Sequence, residues 1–280
     1  MSFDAVENTD QLGTPVELYK FTVGPAVYRY TSSEYWHAGP DTVDEATRYL
    51  PIPISRTGKT EDQTFDSTGI KVTMPSAAPF ALIYRSGTPS VVVTLTVFAR
   101  HWEDSDAEFR SVWNGRVLSP EPGGNKITFG CESILASMDA LALRRHYQKA
   151  CPHVLYGVDC RALKSAHEFA IALGGFYVSG ASVTVASLVS HAANYFAGGF
   201  ITYTNAINGA PELRAIRSSA AGVLSLSYVP AGIAGVTDLK IYPGCNHTSS
   251  ACTTKFNNLA NYGGQLYIPS INPFNGAILY

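Results

Sequence analysis

The stretch PSVVVTLTVFARHW, residues 89–102, decides the fold class of the N-terminal half of the chain. Its side chains alternate between an aliphatic face and a mixed face. The aliphatic face is Val91, Val93, Leu95 and Val97, and the mixed face is Val92, Thr94, Thr96 and Phe98. A period of two residues is the period of a β-strand, because successive side chains point to opposite sides of a sheet. The segment therefore predicts a strand with one buried face.

Further strand patterns surround this segment. Two short strands are predicted at Glu17–Thr22 and Ala26–Thr31, and the extended segment around Pro51 suits a sheet edge because proline has no N–H to donate. Residues 111–133, SVWNGRVLSPEPGGNKITFGCES, predict a hairpin with its turn at the Pro-Gly-Gly step. Residues 1–130 are thus expected to form a β-rich domain, a barrel or a sandwich.

The pattern changes after residue 130. Helix-forming residues in ESILASMDALALRRHYQKAC (132–151) and ALKSAHEFAIAL (162–173) predict short helices within 131–172. Residues 177–242 return to strand patterns, and residues 243–280 are irregular and rich in Asn, Gly and Cys. The expected fold class is mainly β with some α (α+β), with a second, mixed domain at 131–280.

Composition restricts the partners of this chain of 280 residues. Charged residues make up only 15%, the net charge is −2, and no Lys/Arg run occurs, so no specific nucleic-acid binding is predicted. A charge-poor surface favours a subunit of an assembly. Residues 169–211 contain no Asp, Glu, Lys or Arg. Glycines and polar residues nevertheless interrupt every apolar run before it reaches 18 residues, so no membrane span is expected. The first ten residues lack the features of a signal peptide, so the chain is expected in a reducing cytosol, where disulfides are disfavoured.

Four of the five cysteines form two spaced pairs in turn-rich segments. Cys151 and Cys160 bound CPHVLYGVDC, and Cys245 and Cys252 bound CNHTSSAC. Four thiolates suit either zinc or an iron–sulfur cluster, but gaps of eight and six residues match neither a zinc ribbon nor a ferredoxin motif. Buried free thiols remain the alternative. Cys131 ends an apolar strand and is expected to be a small buried hydrophobe.

Polar residues near these cysteines have two interpretations each. His153 and His247 each follow a cysteine by two residues, so each is either a ligand or a hydrogen-bonding neighbour. The asparagines of the last segment are expected to form turns whose side chains satisfy local backbone donors. They are Asn246, Asn257, Asn258 and Asn261.

The residue types allow two classes of function, an enzyme and a structural protein. Cys151, His191 and Asn205 supply the residue types of a cysteine hydrolase. Cys151, however, follows a predicted helix and precedes Pro152, whereas a helix N-terminus is what lowers a thiol pKa. The chain contains no nucleophile elbow, phosphate loop or metalloprotease motif. The sequence therefore favours a protein that is not an enzyme, with a cysteine-dependent hydrolase as the alternative.

Seven segments together resemble a known family. They are LYKF (18–21), VYRYTS (27–32), YLPIPISR (49–56), FGCES (129–133), RRHYQKACPHVLYGVDC (144–160), FAGGFITYTNAING (196–209) and YPGCNHTSSACTTKFNNLANYGGQLYIPSINPF (242–274). The chain is similar to the tail-tip, or baseplate-hub, family of long-tailed phages, which includes minor tail protein L of phage lambda and the hub protein of gene transfer agents. Two positions depart from the family pattern: Asn246 stands where Asp is common, and Gln265-Leu266 stand where Phe-Pro is common.

The resemblance implies a virion protein, made in the host cytoplasm and located at the tail tip. It implies a homotrimeric hub between the tail tube with its distal tail protein and the central fibre. It also implies a [4Fe–4S] cluster held by Cys151, Cys160, Cys245 and Cys252, with zinc as the alternative metal.

Overall fold

The computed structural model describes residues 15–58, 69–102, 108–139 and 147–269. The chain forms two compact units. The first unit comprises Met1–Ala140 with Thr204–Glu212 and Ala231–Ala234. The second unit comprises Leu141–Tyr203, Leu213–Pro230 and Gly235–Tyr280.

Strands dominate the described residues, as the sequence predicts. They are β1 (Pro15–Val23), β2 (Ala26–Thr31), β3 (Leu50–Pro51), β4 (Ser55–Arg56), β5 (Ile70–Pro75), β6 (Val93–His101), β7 (Arg110–Gly123), β8 (Lys126–Ser133), β9 (Phe169–Ile171), β10 (Phe176–Ser179), β11 (Ser182–Val185), β12 (Phe200–Thr204), β13 (Pro211–Ala220), β14 (Val223–Leu226) and β15 (Leu239–Tyr242). The α-helices of the described residues are α1 (Pro79–Ile83) and α2 (Ser249–Thr254). Short 3₁₀ turns lie at Glu45–Thr47, Tyr84–Ser86, Ile134–Asp139, Lys164–His167, Ala186–Leu188 and Leu259–Asn261.

The first unit contains an eight-stranded sheet in the order β3-β2-β1-β6-β7-β8-β5-β4. Its two edge strands, β3 and β4, are joined by residues 52–54 alone, which span at most about 14 Å between strand ends. A flat sheet of eight strands would separate its edges by about 34 Å. The sheet must therefore curl until its edges approach, and Arg56 on β4 binds Glu17 on β1 at 2.6 Å.

The alternation in residues 89–102 is confirmed. Val93, Leu95 and Val97 on β6 are buried, Thr94 is exposed, and Val92 is 67% exposed. The hairpin of β7 and β8 is also present, with Gly123 paired to Lys126 across a loop of Gly124 and Asn125. Pro51 lies on the edge strand β3. An edge strand tolerates proline because one of its sides needs no N–H donor for a neighbouring strand.

Aromatic rings fill the space that the curled sheet encloses. Phe80 on α1 stacks on Phe21 at 4.1 Å and contacts Phe129 at 5.2 Å. Its backbone N–H donates to the Tyr30 hydroxyl. Cys131 lies in this core and is 4% exposed, as predicted for a small hydrophobe. Each fully buried ring of this size contributes about 1.5–3 kcal/mol, so this layer accounts for much of the unit's stability.

The predicted helices within 131–172 need correction. In the described part of that range, β8 continues to Ser133, 3₁₀ turns stand at Ile134–Asp139 and Lys164–His167, and β9 occupies Phe169–Ile171. Residues 140–146 lie outside the described residues. Residues 147–163 do not form an α-helix. The Cys151 N–H donates to the distant His247 carbonyl instead of a carbonyl one turn earlier. The next residue, Pro152, has no N–H to donate. Here, hydrogen bonds to distant residues outweigh the helix propensity of the local sequence.

The second unit contains a seven-stranded sheet in the order β10-β11-β14-β13-β12-β15-β9. β9 and β15 pair antiparallel, with Phe169 opposite Ile241. β9 follows the segment of Cys151 and Cys160, and β15 precedes the segment of Cys245 and Cys252. Antiparallel pairing places the start of β9 beside the end of β15, so both cysteine segments emerge at the same end of the sheet.

Within the described residues, no helix has the length and hydrophobicity needed to cross a membrane.

Candidate four-cysteine site

The segment that carries Cys245 and Cys252 is fixed at its base by a close backbone approach. A Cβ on Gly244 would overlap the Ala197 carbonyl oxygen and the Gly199 nitrogen. Only glycine, which has no Cβ, lets these two backbone segments lie so near each other. Tyr156 supports the same point, because its hydroxyl donates to the Pro243 carbonyl at 3.0 Å. The position of Cys245 is therefore set by the residue before it.

A short helix positions the second cysteine of this segment. Thr248 is the N-cap of α2, and its hydroxyl oxygen accepts the Ala251 N–H at 3.2 Å. Asn246 in turn accepts the Thr248 hydroxyl at 2.7 Å. Cys252 lies one turn into the helix and is 8% exposed. The cap stabilises a helix of six residues that could not persist alone.

A reciprocal pair of hydrogen bonds joins the two cysteine segments. The Cys151 N–H donates to the His247 carbonyl at 2.9 Å, and His247 Nδ1–H donates to the Cys151 carbonyl at 3.0 Å. His153 uses its Nδ1–H in the same way on the Asn261 carbonyl at 3.1 Å. Each imidazole thus binds a backbone carbonyl, which favours the interpretation of both histidines as hydrogen-bonding neighbours of the cysteines.

Asn258 makes a second connection between the segments. Its Nδ2 donates to the Cys160 carbonyl at 2.5 Å, and its backbone N–H donates to the Cys252 carbonyl at 2.9 Å. Its side-chain oxygen accepts from Asn261 Nδ2 at 2.6 Å. The prediction of a purely local turn is therefore wrong for Asn258, which links cysteines far apart in sequence, but correct for Asn246.

The chain beyond Asn261 closes the site from the other side. The Tyr262 hydroxyl donates to the Lys149 carbonyl at 2.7 Å, and the Gln265 N–H donates to the Gln148 carbonyl at 2.9 Å. A Cβ on Gly263 would overlap the His153 ring, so a larger residue there would displace this imidazole from its bond to the Asn261 carbonyl. Residues 262–265 are consequently tied to the chain just before Cys151.

These connections bring all four predicted cysteines to one small cavity. It is lined by Cys151, Cys160, Cys245 and Cys252 with His153, Leu155, His247, Thr248, Phe256, Asn258, Asn261 and Tyr262. No Asp or Glu is among these residues. The cavity measures about 20 Å³, which is room for one water-sized group. Cys151, Cys160 and Cys245 are only partly buried, so close packing does not lock their side chains.

Three N–H groups point at sulfur atoms of the site. The His247 backbone N–H lies 3.3 Å from Cys245 Sγ, and the Gly263 N–H lies 3.4 Å from Cys151 Sγ. Asn258 Nδ2 lies 3.8 Å from Cys160 Sγ. Donors aimed at sulfur stabilise the thiolate form, which is the form that ligates metal. The Cys252 thiol instead donates to the Asn258 carbonyl at 3.2 Å.

The thiols are near enough to influence one another electrostatically. Burial raises the pKa of Cys245, the His247 N–H lowers it, and the charges of Cys151 and Cys160 raise it further. Burial also raises the pKa of Cys252, with further increases from the other three sulfurs. Without a bound cation, these two thiols therefore resist ionisation at neutral pH. A metal ion or cluster reverses this preference because it binds thiolate.

The candidate ligands are spaced more widely than those of a single-ion site. Among the described residues, no group of three or more His, Cys, Asp or Glu side chains lies close enough together to hold one metal ion. The four cysteines nevertheless line one cavity. The donor types fit a four-thiolate centre, since the four thiols share one cavity and three of them receive an N–H donor.

The hydrolase residues are not brought together. His191 packs against rings elsewhere in the second unit, stacking on Tyr195 at 4.7 Å and contacting Phe169 at 5.2 Å. Asn205 belongs to the first unit, and its side chain accepts the Ile207 N–H at 2.9 Å. Neither residue lines the cavity around Cys151. The cavity around Cys151 therefore lacks the two partners that the hydrolase interpretation assigned to this thiol. The imidazoles that do line it, His153 and His247, each bind a backbone carbonyl through Nδ1.

Comparisons with known proteins give two findings. Residues 194–272 match the family described as "Phage conserved hypothetical protein BR0599". The matched range includes Cys245 and Cys252 and ends before the last eight residues of the chain. The fold is similar to that of a chain in the "Virion of native gene transfer agent (GTA) particle", with a TM-score of 0.72 and 18% identity over 96% of this chain and 93% of that chain. No curated protein sequence is significantly similar to the chain.

These findings confirm the resemblance at the level of fold and of a phage-family segment. Several residues that build the site were not predicted, among them Lys255, Phe256, Tyr262 and Gly263. Their only signal in the sequence is the low aliphatic content of a segment that nevertheless keeps aromatic residues and glycines. Their partners lie up to about a hundred positions away, so local patterns could not identify their roles.

Proposed function

We propose that the protein is a structural component of a phage-type virion, a tail-tip hub whose second unit is held by a four-cysteine metal centre. The observation that carries the proposal is the convergence of Cys151, Cys160, Cys245 and Cys252 on one cavity. It occurs in a chain whose fold follows a virion protein over almost its whole length. The phage-family segment at residues 194–272 supports the same assignment.

The metal centre would be a [4Fe–4S] cluster ligated by these four cysteines. When bound, the cluster supplies iron–thiolate bonds that cross-link the two cysteine segments. The chain's own residues prepare this link: Asn258 and His247 hold the segments together, and three N–H groups face sulfur atoms. Residues 243–269 have little aliphatic core of their own, so metal binding would be coupled to their folding.

The hub would be a homotrimer that joins the tail tube and distal tail protein to a central fibre. Its low charge suits a subunit covered on several faces by neighbours. We assign no reaction to the cavity, because its two imidazoles, His153 and His247, each bind a backbone carbonyl. The role is architectural.

The decisive experiment is anaerobic purification followed by metal analysis and a visible spectrum. We expect a brown protein with about four iron atoms per chain, and loss of colour in each of the four Cys→Ser variants. Cys131→Ser is the matched control and should keep its iron, since Cys131 lies in the core of the first unit. A content of about one zinc per chain would show that the centre binds zinc and not an iron–sulfur cluster. A protein without any metal would refute the proposed metal centre.

The hub assignment has its own test in tail assembly. Cys151→Ser should prevent assembly of tails or make the protein insoluble, because the second unit loses its cross-link. Normal tails that fail only in infection or lysis would contradict the architectural role and favour a hydrolase.

A further inference from the structure

Lys255 is the one charged side chain within residues 242–269, and its surroundings are unusual. Its ammonium donates to the Gly244 carbonyl at 2.7 Å and to the Tyr195 carbonyl. It also lies over the Tyr195 ring, 4.1 Å from the centroid. The residue is partly buried, and no carboxylate of the described residues forms an ion pair with it. Carbonyls and a ring solvate the charge, but none of them neutralises it.

A partly buried cation without a carboxylate is costly unless negative charge lies nearby. The cysteine site is such a source. Gly244 directly precedes Cys245, and the charges of Lys255 and Cys245 act on each other. Four thiolates around a dication, whether an oxidised cluster or zinc, carry two net negative charges. Four neutral thiols carry none.

We propose that Lys255 is the counter-charge of the four-cysteine centre, a positioning residue that stabilises its net negative charge and fixes Cys245 through Gly244. This inference rests on the proposed function. It goes beyond that function because it assigns to one side chain, which is not a ligand, both the charge balance of the centre and the attachment of the Cys245 segment.

A second lysine of the same unit provides a matched control. Lys164 also lies over rings, 4.4 Å from the Tyr242 centroid and 5.1 Å from that of Phe200. Its charge acts on Glu168. Replacing Lys164 removes a cation–π contact and one positive charge of the same unit. It should leave the charge balance of the cysteine centre unchanged.

The experiment is an anaerobic redox titration of the purified, cluster-loaded protein and its variants. Lys255→Gln keeps an N–H donor but removes the charge, Lys255→Arg keeps the charge, and Lys164→Gln is the control. A positive charge near the centre favours its reduced, more negative state. We therefore expect Lys255→Gln to shift the midpoint potential downward, with about a tenfold smaller reduced-to-oxidised ratio at fixed potential, or 59 mV for one electron. Lys255→Arg and Lys164→Gln should stay at the wild-type value.

A purely structural role predicts a different result. If Lys255 only ties down Gly244, Lys255→Gln will lower thermal stability while its midpoint potential equals that of wild type, which overturns the proposal. Should Lys255→Gln fail to fold, Lys255→Met supplies the neutral variant, since its apolar stem can still pack over Tyr195.

The two proposals can fail separately. Suppose that the wild-type protein holds iron and that both neutral variants have the wild-type midpoint potential. The proposed function then stands, and the role of Lys255 is rejected. If wild type holds zinc, release of zinc to a chelator becomes the readout, and Lys255→Gln should release it about tenfold faster than Lys164→Gln. Equal rates reject the inference. A wild-type protein without metal rejects both proposals.

Discussion

At the residue scale, single atoms decide whether the cysteine segments can meet. Gly244 allows a close backbone approach that a Cβ would block, and Gly263 leaves room for the His153 ring. Asn258 provides one side-chain amide to Cys160 and one backbone N–H to Cys252. None of these residues is a ligand candidate. The site therefore depends as much on the residues between the cysteines as on the sulfur atoms.

Gly244→Ala is predicted to destabilise the second unit. The added methyl group would overlap backbone atoms of Ala197 and Gly199, which cannot move aside as a flexible side chain could. We expect a loss of about 1–3 kcal/mol, measured as a lower denaturant midpoint of the second unit. Gly58→Ala is the control, because a Cβ there meets nothing within 4 Å. Equal stability of the two variants would contradict the close approach.

Asp41 makes the stability of the first unit depend on pH. Burial raises the pKa of Asp41, but hydrogen bonds from Lys20, Arg29 and Tyr49 outweigh this and lower it to about 2. Since the folded-state pKa lies below the unfolded one, the carboxylate stabilises the fold above about pH 4. This contribution is lost as the pH falls towards 2. Because solvent screens this partly exposed carboxylate, the contribution is about 1–2 kcal/mol rather than the full value of the pKa shift.

Asp41→Asn is therefore expected to lower stability at pH 7 and to flatten its decline between pH 4 and pH 2. Denaturant unfolding of the first unit at several pH values measures both effects. Glu121→Gln is the control, since Glu121 pairs with Lys71 at 3.5 Å on an exposed surface and should contribute little. An unchanged pH profile in Asp41→Asn would refute the assignment.

At the element scale, a few short elements connect a regular sheet to an irregular site. β9 and β15 place both cysteine segments at one end of the sheet, and α2 carries Cys252 inward. These elements are short, so their ends matter more than their interiors. The N-cap of α2 is the clearest case.

Thr248→Ala is predicted to weaken the second unit by about 1 kcal/mol, because the Ala251 N–H loses its acceptor. Thr248→Ser keeps the hydroxyl and should behave nearly as wild type. Thermal unfolding of the purified protein compares the two variants. A loss of metal from Thr248→Ala but not from Thr248→Ser would further link the cap to the position of Cys252. Identical melting of both variants would show that the cap contributes nothing.

At the scale of the whole molecule, the exposed surface suits an assembly. Large apolar side chains are exposed in both units, and in the first unit the exposed rings of Tyr35, Trp36 and Trp102 line one depression. Charged residues are few across the chain. Exposed apolar area of this kind favours contacts with other subunits. The proposed hub would cover part of it in a closed ring.

A homotrimer predicts a mass of about 90 kDa in solution, three times the 30.1 kDa of the chain. Light scattering coupled to size-exclusion chromatography measures this mass directly. The cluster-loaded protein should be used, so that the second unit is folded. A mass of one chain at micromolar concentration would contradict the closed ring.

The strand pattern was predictable because it is local. Alternation of apolar and polar side chains at β6 and the turn residues between β7 and β8 act over a few positions, and both predictions are confirmed. The helices predicted within 131–172 were wrong in the described residues because helix propensity is weak. There, the backbone N–H of Cys151 is satisfied by His247, 96 positions away.

The sequence by itself determined the β-rich character of the chain, the buried face of its strands and the presence of four thiols in two pairs. Only the tertiary structure decided that these thiols share a cavity. The physical reason is that periodicity is a property of neighbouring residues, whereas the site depends on antiparallel pairing of β9 with β15 and on bonds such as Asn258 to Cys160. Those contacts form between distant segments, and no local pattern specifies them.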